Sequence, residues 1–143
     1  MKILTKKADY AIRALLMLAA KEGGFMSAKA IAEAQDIPYQ FLRSLLQELM
    51  HHHLVASKEG AHGGFRIETN PDNISVKQLI EIFQGEVQVS ECMFRKQVCR
   101  NRSSCVLRHE IMRIEEVVSH EFGQLTIGSL LRKLQMQQGT GAA

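Results

Sequence analysis

The sequence predicts a mainly α-helical protein that carries one small β-hairpin and, towards its end, one long helix. Apolar residues recur every three or four positions over most of the chain, which is the spacing of amphipathic helices. A glycine-rich stretch at residues 54–68 interrupts this pattern and separates two short strand-like runs. At 143 residues, the chain fits one domain, or one domain with an appendage.

The first predicted helix extends from Thr5 to Ala20. Its buried stripe is predicted to consist of Ala8, Ile12, Leu15, Leu16 and Ala19. Lysines ahead of an apolar run imitate a secretion signal, but Arg13 interrupts this run. The run is also much shorter than the roughly 20 residues that a membrane-spanning helix needs. We therefore expect a cytoplasmic protein without a membrane segment.

Two shorter helices with a sharp break between them are predicted next. Ser27 is expected to cap the second helix, and the run from Gln35 to Pro38 to end it and to open the third. The third helix has an apolar side made of Phe41, Leu42, Leu45, Leu46 and Leu49, and an outward side made of Tyr39, Gln40, Arg43, Ser44 and Gln47. Such outward side chains can read base edges or bind phosphates, although any surface helix is polar on its outside.

The glycine-rich stretch predicts a hairpin that follows the third helix. Its tip and flanks contain Lys58, Gly60, His62, Gly63, Gly64 and Arg66. Glycines let backbone amides approach a phosphate or a minor groove closely, whereas an ordinary flexible turn is the alternative. The order of helix, helix and hairpin is that of a winged helix–turn–helix, so we predict DNA binding by Ser27, by the outward side of the third helix and by this hairpin.

The predicted DNA-binding domain ends soon after the hairpin. Residues 70–73 are predicted to form a turn, and the helix that follows is ended by Gly85. We therefore place the DNA-binding domain at residues 1–85. Residues 86–104 lack helical periodicity and are predicted to form a loop with a sensor function.

A helix of about five turns is predicted from Cys105 onwards. Its apolar stripe consists of Leu107, Ile111, Ile114, Val118 and Phe122. The helix is too long for the first domain to cover, so a partner subunit is expected to bury it. With a last helix at residues 126–135 it forms a dimerisation region, residues 105–136, followed by a frayed tail at residues 137–143.

Three cysteines, Cys92, Cys99 and Cys105, are the main candidates for sensor chemistry. An odd number of cysteines in a reducing compartment argues against structural disulfides and favours metal, cluster or redox chemistry. Four basic residues lie near them and offset the repulsion between thiolates: Arg95, Lys96, Arg100 and Arg102. A thiol switch and a zinc site remain alternatives to a cluster.

Other features of the sequence favour a regulator over an enzyme. The formal net charge of +3 favours a polyanionic partner weakly. No paired general acid and base is apparent, and no phosphate-binding loop of the GxxxxGK type occurs.

Several motifs together resemble one family of bacterial regulators. They are the opening LTKKADYAIRALLMLA, the FLRSLLQEL of the third helix, the LVASK and GGF runs of the hairpin, and the cysteine trio ahead of the long helix. This pattern is similar to the Rrf2 family of winged-helix transcriptional repressors. The resemblance implies a homodimer on a near-palindromic DNA operator. It also implies that an iron–sulfur cluster (2Fe–2S or 4Fe–4S) on the three cysteines switches DNA affinity in response to nitric oxide, redox state or iron–sulfur status.

The resemblance offers two candidates for a fourth ligand. NsrR-like members use an aspartate early in the first helix, donated across the dimer, and Asp9 occupies that place. IscR-like members use a histidine where this chain has Arg108, and His109 is one residue late, which turns a helical side chain by about 100°. Asp9 is therefore preferred, with His109 as the alternative. As a first-turn carboxylate, Asp9 could also serve only to complement the helix dipole.

The hairpin departs from the family pattern at one position. Where the family usually has an arginine, this chain has Glu59. A carboxylate near phosphates is repulsive and cannot replace an arginine in a minor groove. We therefore expect this hairpin, the wing of the motif, to contact DNA differently, with Lys58 as a partial substitute for the arginine.

Overall fold

The structure of the protein, a computed structural model, describes residues 3–89 and 104–141. Within these ranges the chain forms six α-helices and one two-stranded antiparallel sheet, which confirms the predicted fold class. The elements are α1 (Lys6–Ala20), α2 (Ala28–Gln35), α3 (Tyr39–His51), β1 (Val55–Lys58), β2 (Gly64–Ile67), a 3-10 turn (Pro71–Asn73), α4 (Val76–Gln84), α5 (Val106–Gln124) and α6 (Ile127–Thr140). None of the helices described is long and apolar enough to cross a membrane.

Side-chain caps define where most of the helices begin. Thr5, Ser27, Ser75 and Thr126 each accept a hydrogen bond from an amide in the first turn of their helix. These contacts satisfy amides that have no partner within the helix. Asp36, at φ 52°, ends α2 in the left-handed conformation, and the chain turns directly into α3. The predicted cap at Ser27 and the break before Pro38 are thus confirmed.

The hydrophobic core lies around α1, which packs against α2, α3, α4, α6 and β2. Ala8, Ala11, Ala14, Leu15 and Leu18 are fully buried. Of the predicted stripe, Ile12 and Leu16 are only half-buried, and the buried side of α1 includes Ala11, Ala14 and Leu18 instead. Alanine lets neighbouring elements approach closely, so α1 can be surrounded on several sides.

The hairpin is extended by a third segment that the sequence pattern did not indicate. β1 and β2 pair in the register Val55↔Ile67 and Lys58↔Gly64. On the other edge of β2, the amide and carbonyl of Met26 bond to those of Phe65, both at 2.8 Å. The chain just before α2 is thereby fixed against the wing.

The last helix returns to the core around α1. The amide of Ile127 donates to the carbonyl of Ile74 at 2.9 Å, and that of Val76 donates to Leu125 at 2.8 Å. Ile127 is fully buried in the same cluster as the core leucines. α6 therefore packs with elements before residue 85, and the functional division at residue 85 stays a prediction.

Two details differ from the sequence predictions. α6 continues to Thr140, so the first residues of the predicted tail at 137–143 are helical. Glutamine is a good helix former, and the Thr140 hydroxyl shares its one proton between the carbonyls of Met136 and Gln137, both 3.0 Å away. The apolar stripe predicted for α5 is also divided between a half-buried side and an exposed side, because only one side of this helix faces α4. Ile111 lies on the half-buried side, and Leu107 and Ile114 are exposed.

Candidate DNA-binding surface and sensor residues

The outward side of α3 is fully available to a ligand. Tyr39, Gln40, Arg43, Ser44 and Gln47 are all exposed, whereas Leu42, Leu45, Leu46 and Leu49 on the opposite side are buried. The ring of Tyr10 meets Phe41 edge to face at 5.7 Å, which fixes α3 against α1. The polar row therefore stands on a rigid helix.

Two of these side chains are already held within α3. The guanidinium carbon of Arg43 lies 5.9 Å from the centre of the Tyr39 ring, within the range of a cation–π contact. The Ser44 hydroxyl donates to the carbonyl of Phe41 at 2.7 Å. Its proton is thus engaged, and Ser44 can contact a base only by accepting a hydrogen bond.

The wing cations share an aromatic neighbour that the sequence analysis missed. The ring centre of Phe25 lies 5.7 Å from the Lys58 ammonium and 5.3 Å from the Arg66 guanidinium. Phe25 sits in the connection between α1 and α2, where no periodicity marks it. His62 is exposed at the tip of the hairpin, as is Glu59.

The wing glycines have a structural role of their own. A Cβ at Gly63 would collide with the carbonyl of Lys58. Gly64 has φ +132°, and a Cβ there would collide with the backbone of Met26. The double glycine is therefore required to close the hairpin and to let the Met26 segment pair with β2. Close approach of these glycines to DNA stays a prediction.

Cys105 is the one cysteine within the described ranges. It is half-buried, carries a free thiol and caps α5, with its Sγ accepting a hydrogen bond from the Arg108 amide at 3.4 Å. Cys92 and Cys99 lie outside the described residues, as do the four basic residues near them. Within residues 3–89 and 104–141, no three His, Cys, Asp or Glu side chains form a group that could hold a metal ion.

The two candidate fourth ligands are both accessible. Asp9 lies in the first turn of α1, where its Oδ2 pairs with the Arg13 guanidinium at 3.1 Å. The side chains of this pair are 38% and 49% exposed. His109 is exposed on α5, one turn beyond Cys105. Neither residue is buried in a way that would prevent it from binding a ligand.

Gln84 ties the beginning of the chain to the end of α4. Its Oε1 accepts from the Thr5 amide at 2.9 Å, and its Nε2 donates to the Ile3 carbonyl at 2.8 Å. Gly85 follows with φ 86° and leads into the predicted sensor loop. The segment that precedes Asp9 is thereby linked to the start of that loop, which no local sequence pattern indicated.

Comparison with known proteins identifies the family. A family model described as "Rrf2: Iron-dependent Transcriptional regulator" matches residues 4–133. The regulator IscR of Aliivibrio salmonicida is 33% identical over 94% of this chain and 80% of its own length. The repressor NsrR of Streptomyces coelicolor is 28% identical over 90% of this chain and 87% of its own. The predicted family is confirmed.

The fold is found in a solved structure as well. CymR, the global cysteine regulator of B. subtilis, superposes with a TM-score of 0.79 at 26% identity. The match covers 93% of this chain and 98% of that one. These relatives are transcriptional regulators rather than enzymes, in agreement with the sequence analysis.

Proposed function

Since the chain belongs to the Rrf2 family of transcriptional regulators, we propose that it is a homodimeric repressor whose DNA affinity is switched by an iron–sulfur cluster. The exposed polar row of α3 carries this proposal, because Gln40, Arg43 and Gln47 lie on one rigid helix that follows a tight turn from α2. Glutamine and arginine can bind adenine and guanine edges through two hydrogen bonds each. α3 enters the major groove, and the wing contacts the flanking backbone.

The exposed side of α5 supports the homodimer. Val106, Leu107, Ile114 and Val117 are all exposed and lie within about 100° around the helix axis. Four large apolar side chains on one side of a helix favour burial against another protein surface. A second copy of α5, related by a two-fold axis, presents the same side chains in return. The dimer then places two α3 helices about 34 Å apart, one for each half of a near-palindromic operator.

The donor atoms fit an iron–sulfur cluster. Three thiolates, from Cys92, Cys99 and Cys105, would form the ligand set, and Asp9 of the other subunit would complete it, with His109 as the alternative. The hydrogen bond from the Arg108 amide to Cys105 Sγ is of the kind that stabilises cluster-bound sulfur. When bound, the group would supply a centre that reacts with nitric oxide or oxidants.

The chain's own residues provide the two states of the switch. Asp9 either binds across the dimer or pairs with Arg13 in its own helix, as in this structure. Gln84 holds the segment before Asp9 to the end of α4, so a change in the sensor loop is passed to α1. α1 packs directly on α3 and β2, which carry the DNA-binding side chains. The shift in DNA affinity is limited by how differently the signal binds to the two states.

Anaerobic purification tests the cluster. We expect a brown protein with visible charge-transfer absorption and stoichiometric iron and sulfide. Cys105→Ser should lose the colour while serine keeps the cap of α5. Asp9→Ala should change the spectrum and its response to nitric oxide, whereas His109→Ala should change neither. If instead His109→Ala changes the spectrum and Asp9→Ala does not, His109 is the fourth ligand.

A thiol switch or a zinc site is the second candidate. It is favoured by the likeness to CymR, described as a global cysteine regulator. Both alternatives use the same three cysteines without iron. A colourless protein with stoichiometric zinc, or one whose DNA affinity responds to thiol oxidation alone, would replace the cluster proposal and leave DNA binding intact.

A further inference from the structure

The wing of this protein carries its positive charge on the strands. Glu59 is exposed near the tip, and Lys58 and Arg66 lie further back on β1 and β2. In the strand register, Ala56 faces Arg66 and Lys58 faces Gly64, so the two cations are diagonal neighbours on the same side of the hairpin. Within residues 3–89 and 104–141, neither of them forms an ion pair.

Phe25 lies against both cations, at 5.7 Å from Lys58 and 5.3 Å from Arg66. We propose that Phe25 is a positioning residue, whose ring holds these two side chains together as a paired grip for a DNA phosphate. The negative face of the ring attracts each cation and offsets part of their mutual repulsion. An anion bound between the two cations offsets the remaining repulsion. The inference rests on the proposed DNA-binding function.

The backbone next to Phe25 is fixed against the wing. Its neighbour Met26 exchanges two hydrogen bonds with Phe65 on β2. Ser27 then caps α2, the first helix of the helix–turn–helix. The same short segment thus joins the wing, the paired cations and the start of α2. A phosphate held by Lys58 and Arg66 therefore has a defined position relative to α3.

The chemistry favours a phosphate over a base edge. The Lys58 ammonium is a point charge without directional preference, which suits a phosphate. The Arg66 guanidinium is held against a ring and has less freedom to orient towards base edges in a groove. Contacts to phosphates fix orientation on the duplex and carry no sequence information. Phe25 should therefore affect DNA of any sequence, and its effect should decline with added salt.

A double-mutant cycle tests this role. The probe is a fluorescein-labelled random-sequence duplex of about 30 base pairs, long enough for two half-sites about 34 Å apart. Phe25→Leu should weaken binding by about three- to tenfold, because the Lys58 and Arg66 side chains are then no longer ordered before DNA binds. It should also reduce the slope of log K against log salt concentration by about one. Phe25→Tyr keeps the ring and should rescue both quantities.

The background of the cycle is Lys58→Gln with Arg66→Gln, in which Phe25→Leu should cause no further loss. An equal loss in both backgrounds would mean that Phe25 acts only through the fold, and thermal melts of each variant check this directly. Unchanged affinity of Phe25→Leu would overturn the inference while DNA binding stands. If the wild-type protein shows no salt-sensitive binding to the duplex, the proposed DNA-binding function fails, and the grip fails with it.

Discussion

α1 and α5 are both long amphipathic helices, yet their surroundings are opposite. α1 has six buried residues among its 15, and five elements pack around it. α5 has 19 residues and buries none of them, and among the elements that the structure describes it packs mainly against α4. The packing around α1, which supports the proposed DNA-binding surface, is therefore complete within one chain. In the proposed dimer, the exposed apolar side of α5 is covered by the second subunit.

The side chains explain this difference. α1 presents alanines and leucines to several neighbours, and small residues let those neighbours come close. α5 mixes apolar residues with charges: by helical spacing, Glu110 lies inside the arc of the exposed apolar residues, and its partner Arg113 lies at the edge of that arc. Such a mixed surface is typical of a subunit interface rather than of a domain core.

Removing the anchor of α6 should have the largest effect on stability. Ile127→Ala creates a cavity in the shared core, and such truncations cost about 2–5 kcal/mol. Met136→Ala, on an exposed part of α6, should cost less than about 0.5 kcal/mol. Urea denaturation at a fixed protein concentration measures both. Equal costs would mean that α6 is not part of the core.

A charge on the open side of α5 should separate the subunits. Ile114→Lys, at a residue 41% exposed, should convert the dimer to a monomer and weaken operator binding by about 100-fold, because one half-site is then bound at a time. Sedimentation velocity gives the oligomeric state.

Met112→Lys is the matched control, since Met112 is 44% exposed and lies on the opposite side of α5. It should leave the dimer intact. If Met112→Lys dissociates the dimer and Ile114→Lys does not, the interface lies on the other side of this helix.

The two wing glycines should respond differently to alanine. Gly60 and Gly64 have φ of +111° and +132°, a backbone conformation that costs an alanine about 1–3 kcal/mol. Only Gly64 has a backbone neighbour, at Met26, in the space of the added Cβ. Gly64→Ala should therefore lower the melting temperature more than Gly60→Ala. Equal shifts would show that the Met26 segment moves away freely.

The ion pair between Arg132 and Asp72 should contribute least. Its atoms are 2.8 Å apart, but both side chains are more than half exposed, so solvent and salt screen the attraction. Arg132→Ala should cost less than about 1 kcal/mol, with a smaller cost at high salt. A cost as large as that of Ile127→Ala would mean that the ion pair, rather than core burial, holds α6.

Local signals predicted the helices and the hairpin, because each signal lies within a few residues of its effect. Ser27, Asp36 and Gly85 stop or start helices through their own backbone and side-chain geometry. Phe25 and Gln84 could not be predicted in this way. Their partners are distant in the sequence, and neither residue belongs to a period, a cap or a turn motif. The grouping of Cys105 with Cys92 and Cys99 stays a prediction from spacing and resemblance.

Selection of bound duplexes from a pool of random DNA tests the central claim most directly. The account predicts enrichment of a near-palindrome whose half-site centres lie about one helical turn apart, because two copies of α3 are joined through α5. Arg43→Ala should relax the preference at a symmetric pair of positions. Enrichment of single, non-repeated sites, or of no site under any redox condition, would contradict the account.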